Sequence, residues 1–220
     1  MNTIFEFLDY NTLYNRCVMA SVAHAVMAGE YGFLSAGQSW DASNYNFQDM
    51  EGVRGVISFA EDKYICVIQN NNIYEPYTDQ HVSEILNGAD ARIIDLANKE
   101  ALQYMLIEHN GKIVPFISAA FWGSGGMNYS AQSEEQILRI SENIIMPFLY
   151  SENDAKMYWK DYYEMTKEQT RLTEEIFNRR INTDGKLVLA VDEINKLKEW
   201  FGDIGECIES FQELEIYLAS

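Results

Sequence analysis

The chain has 220 residues, and its content of 47% hydrophobic and 13% aromatic residues excludes an intrinsically disordered protein. At this length a folded chain buries about 70–75% of the surface that it exposes when unfolded, so a sizeable core can form. The formal net charge of −18 disfavours direct binding to nucleic acids or anionic membranes, because both present negatively charged phosphate groups.

The chain begins with two helix-capping patterns. Thr3 and Glu6 have the spacing of a capping box, which predicts a short helix over residues 4–9. Thr12 can cap a longer helix, and Gly29 is typical of a residue that ends one. We therefore predict a second helix from Thr12 to Gly29.

Residues 17–28 form an apolar run within this second helix, which must therefore be surrounded by protein. The run is shorter than the ~20 residues that a membrane span needs, and the N-terminus is acidic where a signal peptide is basic. Cys17, Cys66 and Cys207 are an odd number without CxxC spacing, and two of them lie in apolar runs where a free cysteine behaves as a small buried hydrophobe, which favours a reducing compartment. We therefore expect a cytoplasmic protein without disulfides that does not bind membranes.

Cys17 and His24 are the candidates for nucleophilic chemistry on this helix. Seven residues separate them by about 10 Å along the helix axis, whereas a catalytic Cys–His pair needs a direct hydrogen bond of about 3 Å. Both are predicted to be packed interior residues. Because His81 and His109 are isolated in the sequence, no multi-histidine metal site and no cofactor are expected.

A polar and aromatic loop is predicted over residues 30–52, where Lys and Arg are absent. Tyrosine and tryptophan beside short polar side chains are typical of protein-binding surfaces. The same residues would suit a pocket for a neutral or cationic small molecule, or a satellite core beneath the loop. The candidate partner-binding residues are Tyr31, Gln38, Trp40, Asp41, Asn44, Tyr45, Asp49 and Glu51.

The middle of the chain predicts a β-hairpin over residues 54–59 and 64–69, which are rich in β-branched and aromatic residues. We further predict a strand over 91–96, a helix over 98–109 and a buried strand over 112–122. The glycine-rich residues 123–126 are predicted to form a hinge or tight turn between a strand and a helix. They match no nucleotide-binding motif.

The C-terminal part is predicted to be all-helical. A capping box at Ser133 and Gln136 predicts a helix to about Tyr150. A long helix is then expected over residues 151–180, and two more over 191–201 and 204–218. The 151–180 helix has apolar residues at alternating steps of three and four, which is typical of a packing seam. The predicted seam contains Tyr158, Tyr162, Met165, Leu172 and Ile176, with Gln169 as its one polar member.

These elements predict an α+β fold, with a small, mainly antiparallel sheet covered by helices and an all-helical C-terminal part packed on it. Residues 1–150 would form the mixed part and residues 151–220 the helical part, within one continuous domain.

The leading functional hypothesis is a non-catalytic acidic binding protein that neutralises a basic protein partner. Bacterial immunity proteins and phage-encoded inhibitors are similar in size and charge. The alternative is a small hydrolase or transferase with a pocket formed by the Trp40 loop, using Ser39, Asp41 or Asp49. A carboxylate-only Mg²⁺ site at Asp41, Asp49 and Glu51 is also open.

Overall fold

A computed structural model describes residues 2–6, 8–32, 37–73, 77–78 and 80–219. The chain forms two compact units. The first unit contains Met1–Leu13 and Asp41–Leu149, and the second contains Tyr14–Trp40 and Tyr150–Ser220. Residues 14–40 therefore group with the C-terminal helices, and the predicted division into 1–150 and 151–220 stays a prediction.

Runs of strands are followed by runs of helices along the described chain, and the predicted α+β class is confirmed. The helices of the described residues are α1 (Tyr10–Tyr31), α2 (His81–Ile85), α3 (Ala91–Lys99), α4 (Glu134–Ile140), α5 (Met146–Leu149), α6 (Glu152–Tyr162), α7 (Lys167–Ile181), α8 (Val191–Phe201) and α9 (Gly205–Glu213). The strands are β1 (Asn2–Thr3), β2 (Gln38–Asp41), β3 (Asn44–Gln48), β4 (Val53–Ala60), β5 (Lys63–Asn70), β6 (Leu106–His109), β7 (Lys112–Pro115), β8 (Ala119–Ser124), β9 (Met127–Ser130), β10 (Leu187–Leu189) and β11 (Ile216–Leu218).

The main sheet has seven strands among the described residues, in the order β1-β9-β8-β5-β4-β3-β2. The registers from β1 to β3 are all antiparallel. The predicted hairpin is confirmed as β4 and β5, which are joined by a two-residue turn at Glu61 and Asp62. The division between the two units passes through β2, between Trp40 and Asp41.

One face of the sheet packs against α3 and its neighbours to form a hydrophobic core in the first unit. Val56, Val67 and Trp122 of the sheet are buried with Ile93 and Leu96 of α3. The prediction of a strand over residues 91–96 was wrong. The Asp90 side chain accepts hydrogen bonds from the backbone N–H groups of the first turn, which fixes this segment as a helix.

Two further predictions in this region were wrong. The helix expected over residues 98–109 is a short 3₁₀ turn at Ala101–Tyr104 followed by strand β6. The single strand expected over 112–122 is divided into β7, which pairs with β6, and β8, which joins the main sheet. Pro115 ends β7 and lacks a backbone N–H, which agrees with the break in hydrogen bonding there.

Capping boxes proved reliable at one predicted position and not at another. Ser133 and Gln136 form the reciprocal hydrogen bonds of a capping box at the start of α4. That helix ends at Ile140 instead of continuing to Tyr150. Thr3 belongs to β1, and the described residues of 4–9 form no helix. Backbone pairing between β1 and β9 fixes Thr3 as extended there.

Helix α1 begins and continues differently from the prediction. Asp9 is the capping residue, because its carboxylate accepts a 2.7 Å hydrogen bond from the backbone N–H of Thr12. Gly29 lies inside the helix and does not end it. A Cβ atom on Gly29 would lie 2.7 Å from Cβ of Phe201. Close packing against α8 therefore explains this glycine.

The predicted helix over residues 151–180 is two helices, α6 and α7. Thr166 and Gln169 form a capping box that starts α7 and interrupts the predicted seam. Leu172 and Ile176 are buried as predicted, whereas 49% of Tyr162 is exposed. The second unit also contains β10 and β11, which form a two-stranded parallel sheet that the sequence did not predict.

The described helices include none with the length and apolar character that a membrane span requires.

Candidate functional site

The candidate residues of segment 30–52 are held mainly by regular structure. Residues 38–41 and 44–48 are strands β2 and β3, and residues 33–36 lie outside the described part. The prediction of one long loop was therefore wrong. Tyr31, Gln38 and Trp40 belong to the second unit, whereas Asp41, Asn44, Tyr45, Asp49 and Glu51 belong to the first.

Trp40 is held in place by three contacts in the second unit. Its indole N–H donates a 2.8 Å hydrogen bond to the Ser21 hydroxyl of α1. Its ring packs edge-to-face on Tyr14, with 5.6 Å between the ring centroids. Its backbone N–H donates to the Glu213 carboxylate of α9 at 2.8 Å. The half-buried indole is therefore already ordered before any partner binds.

A buried hydrogen-bond chain lies around Tyr163. The Gln38 amide donates to the Tyr163 hydroxyl at 3.2 Å. That hydroxyl lies 3.0 Å from Nδ1 of His24, so we assign its proton to this nitrogen and the ring proton of His24 to Nε2. Burial lowers the pKa of His24 to about 4, so the ring is neutral near pH 7. Tyr31 packs on the Tyr163 ring with centroids 5.8 Å apart.

Helix α9 places three carboxylates beside these residues. Glu206, Glu209 and Glu213 follow helical spacing and are solvent-accessible. Glu206 neighbours Gly32, since a Cβ there would lie 3.1 Å from the glutamate Cγ. Among the described residues none of the three carboxylates forms an ion pair. We call the following set the Trp40 surface: Tyr31, Gln38, Trp40, Glu206, Glu209 and Glu213.

Glu213 accepts a hydrogen bond from the Trp40 backbone, and its pKa is raised. Partial burial raises its pKa, and the Trp40 backbone N–H offsets part of that effect. Burial takes water away from a carboxylate and so disfavours its charged form. An approaching positive charge stabilises that charged form. A cationic side chain that approaches Glu213 would therefore stabilise its carboxylate.

In the first unit, Asp41 and Asn44 belong to a separate polar cluster. The Tyr104 hydroxyl donates a 2.6 Å hydrogen bond to Asp41. Burial and the adjacent Asp41 carboxylate raise the pKa of Tyr104 to about 12. Asn44 accepts from the Ser58 hydroxyl at 2.6 Å and donates to Glu100 at 2.9 Å. These contacts satisfy the buried Asn44 side chain, as a structural role requires.

Tyr45 lies in the interior of the first unit, with 0% of its surface exposed. Its ring packs edge-to-face on Phe148 at 5.4 Å, and Phe47 of the same strand contacts Phe148 at 5.2 Å. For these two aromatic residues, the satellite-core alternative agrees with the structure.

Asp49 stabilises the turn that leads into β4. Its carboxylate accepts hydrogen bonds from the backbone N–H groups of Glu51, Gly52 and Val53. Glu51 is exposed on the same turn. Within the described residues, no three acidic, cysteine or histidine side chains are grouped closely enough to hold a metal ion. Asp41, Asp49 and Glu51 therefore do not form the Mg²⁺ site considered from the sequence.

The glycine-rich segment 123–126 is part of a β-hairpin. Gly123 and Ser124 end β8, and a turn at Gly125 and Gly126 leads directly into β9. The predicted tight turn is therefore present, and β9 separates it from the predicted helix, which begins after Ser133 as α4. No helix N-terminus follows the turn directly, as a phosphate site would require.

The three cysteines are buried, and none forms a disulfide, as predicted. Burial raises the pKa of Cys207 to about 11 and also raises that of Cys66. Because the thiolate is the reactive form, we expect labelling of the native protein by a thiol reagent to be slow at pH 7. Labelling in denaturant provides the control, and rapid loss of one native thiol would contradict this expectation.

Neither a protein family, nor a curated protein, nor a solved structure matches this chain. The geometry of the described residues is therefore the basis for the functional proposals.

Sequence reasoning missed the residues that hold the candidates in place. Ser21, Tyr163 and Glu213 contact Trp40 or Gln38 but lie 19, 125 and 173 positions away from them. The one signal in the sequence was the set of acidic residues at helical spacing in α9. Residues 199–220 contain six acidic residues and no Lys or Arg.

Proposed function

We propose that the protein is a non-catalytic binding protein that neutralises a basic protein partner through the Trp40 surface. The observation that carries this proposal is the ordered Trp40 indole beside carboxylates that have no cationic partner among the described residues. Partial burial has removed water from the Glu213 carboxylate. A Lys or Arg side chain of a partner would supply hydrogen bonds in place of that water.

Charge supports the proposal at long range. The chain carries 34 acidic against 16 basic residues, so at least half of the acids have no basic residue of their own to pair with. The stretches 17–40 and 199–220, which supply the Trp40 surface, contain no Lys or Arg at all. A surface on which acidic residues predominate accelerates encounter with an oppositely charged protein.

Order at Trp40 supports the proposal at short range. Binding normally costs the conformational freedom of the side chains that become immobilised. The hydrogen bond to Ser21 and the packing on Tyr14 already fix the indole. A large, rigid and half-buried aromatic residue is typical of the residues that dominate interface energies.

The structure also narrows the set of residues that we propose for binding. Tyr45 and Asn44 are buried, and Asp49 is occupied by backbone N–H groups. We therefore propose structural roles for these three. The enzyme alternative needs an acid that can act on a substrate. The Asp41 carboxylate already accepts a hydrogen bond from the Tyr104 hydroxyl.

The first test is a pull-down with this protein as bait at low and high salt, which identifies a partner that high salt releases. The association and dissociation rates of that partner are then measured. Trp40→Ala should raise the dissociation rate, at a cost of at least ~2 kcal/mol in binding free energy if Trp40 is an anchor. Replacing Glu206, Glu209 and Glu213 together by glutamine should mainly lower the association rate, because long-range charge acts on encounter.

A matched control removes the same charge elsewhere. Glu84, Glu108 and Glu135 are exposed glutamates of the first unit, and their joint replacement by glutamine should lower the association rate less. Association that is indifferent to salt and to both triple replacements would contradict the proposal. Turnover of a small molecule that is lost on mutation, with protein binding unchanged, would favour an enzyme instead.

A further inference from the structure

A cleft of about 350 Å³ opens at one end of strands β3, β4 and β5 in the first unit. This volume lies at the lower end of the range for small-molecule sites, about 300–1,000 Å³. The described residues that line the cleft are Gln48, Met50, Gly52, Val53, Arg54, Gln69, Asn71 and Ile107.

Three of these residues form a polar row across the sheet. Gln48 lies opposite Arg54, and Arg54 lies opposite Gln69. Because side chains alternate along a strand, Arg54 and Gln69 share a face with Val56 and Val67. Those valines belong to the hydrophobic core. Polar residues also occur elsewhere on this face, where Asn44 and Ser58 are buried and hydrogen-bond to each other. The hydrogen-bond donors of Arg54 and Gln69 distinguish the row.

Arg54 has an unusual environment for such an acidic protein. Its Nε donates a 2.6 Å hydrogen bond to the Gln69 side-chain oxygen. No carboxylate of the described residues forms an ion pair with it. A guanidinium group has five N–H donors in a planar fork, so its terminal nitrogens can still bind an anion in the cleft.

Gln69 supplies a second donor. Its side chain has 0% exposed surface, and its Nε2 has no hydrogen-bond partner among the described residues. The hydrogen bond from Arg54 fixes the amide with its oxygen towards the guanidinium, so the nitrogen cannot be relieved by an amide flip. A buried donor without an acceptor is costly, and a bound acceptor would remove that cost.

We propose that this cleft binds a small monocarboxylate with a short apolar chain. The carboxylate accepts hydrogen bonds from the terminal nitrogens of Arg54 and from Nε2 of Gln69. The chain contacts Met50 and Ile107, of which Met50 is 60% exposed and gains burial from a ligand.

Charge selects a carboxylate over a phosphate. Arg54 is the single Lys or Arg among the described residues that line the cleft, so it balances one negative charge. A dianionic phosphate would keep an unbalanced charge inside a protein of net charge −18. The fork of the guanidinium also matches the two oxygens of a carboxylate. This site does not depend on the proposed Trp40 surface.

The test is a titration of the full-length protein with hexanoate, followed by nuclear magnetic resonance of the Arg54 Nε–H and Gln69 side-chain amide signals. Saturable shifts of both signals are expected. Hexanamide has the same chain without the charge and should bind at least about tenfold more weakly, as should inorganic phosphate. Equal binding of hexanoate and hexanamide, tighter binding of phosphate, or no saturable shift would each overturn the proposal.

Variants identify the donors. Arg54→Gln removes the charge, and Gln69→Glu keeps the oxygen that Arg54 uses but replaces the amide donor by a negative charge. Each should weaken hexanoate binding by at least about tenfold. Arg92→Gln removes the same charge from the exposed Arg92 on α3 and should leave binding unchanged.

Backbone spectra and unfolding curves establish that each variant is folded. If Arg54→Gln is unfolded, Gln69→Glu alone decides the matter, because the carboxylate that it introduces would pair with the Arg54 guanidinium and support the fold. Unchanged hexanoate affinity in either folded variant would overturn the proposed site.

Discussion

Replacing Leu172 by alanine should lower the free energy of unfolding by about 2–5 kcal/mol. Leu172 is 1% exposed on α7, and the neighbouring Ile176 and Phe177 are both 0% exposed. The substitution removes apolar atoms from a filled interior and leaves a cavity that its neighbours fill only in part. Urea denaturation of the wild type and the variant measures the difference directly.

Met157→Ala on α6 is the matched control for Leu172→Ala. Met157 is 62% exposed, so its truncation should change stability by less than about 0.5 kcal/mol. The pair of variants separates the loss of core packing from a general effect of alanine on helices. A loss below half a kcal/mol for Leu172→Ala would contradict the buried position of this side chain.

Local sequence patterns predicted the elements whose stability depends on near neighbours. The β4 and β5 hairpin combines β-branched and aromatic residues with a short turn, so both signals favour the same structure. Helix α8 also agrees with its predicted bounds, whereas α9 covers only Gly205–Glu213 of the helix predicted over 204–218, because Ile216–Leu218 form β11. In each case the residues that form the element lie close together in the sequence.

Segment 91–99 shows how two local signals can compete. Ile93 and Ile94 favour a strand, whereas Asp90 provides a helix cap. The predicted strand agrees with the isoleucines and does not take the cap into account. In the structure Ile93 and Leu96 are both buried on one helical face, so tertiary packing and capping together determined the outcome.

Gly29 shows why packing between distant helices was not predictable. Glycine after an apolar helix usually marks its end, yet α1 continues to Tyr31. The reason is Phe201, which approaches the position of the missing Cβ atom. A residue 172 positions later cannot be recognised as a neighbour from one sequence.

The candidate residues of segment 30–52 were identified in sequence without their surroundings. Composition indicated that Trp40 and Asn44 were unusual, but it could not distinguish their roles. Contacts with Ser21 and Glu213 hold a half-buried Trp40, whereas contacts with Ser58 and Glu100 satisfy a buried Asn44. Burial therefore separates the residue that we propose for binding from the one with a structural role.

Acidification should destabilise the protein through His24, by about 3 kcal/mol between pH 6.5 and pH 4. Burial lowers the pKa of His24 from its ordinary value of 6.5 to about 4 in the folded state. Below pH 6.5 the unfolded chain therefore binds a proton that the folded chain does not. Stability from this residue is fully present above pH 6.5 and is lost as the pH falls towards 4.

The contribution of His24 is measured as a difference between proteins, because carboxylates also titrate in the lower part of this range. Unfolding free energies of the wild type and His24→Gln are compared at pH 7, 6, 5 and 4. Glutamine retains a hydrogen-bonding group near Tyr163 but takes up no proton. The variant should lose less stability than the wild type as the pH falls, whatever its stability at pH 7.

Met157→Ala, which removes no ionisable group from an exposed position on α6, provides the control and should follow the pH dependence of the wild type. A His24→Gln variant that loses as much stability on acidification as the wild type would show that this ring is not held neutral. The 3% exposure of His24 and its unpartnered Nε2 give the physical reason to expect otherwise, because a protonated ring would bury a charge without a counter-ion.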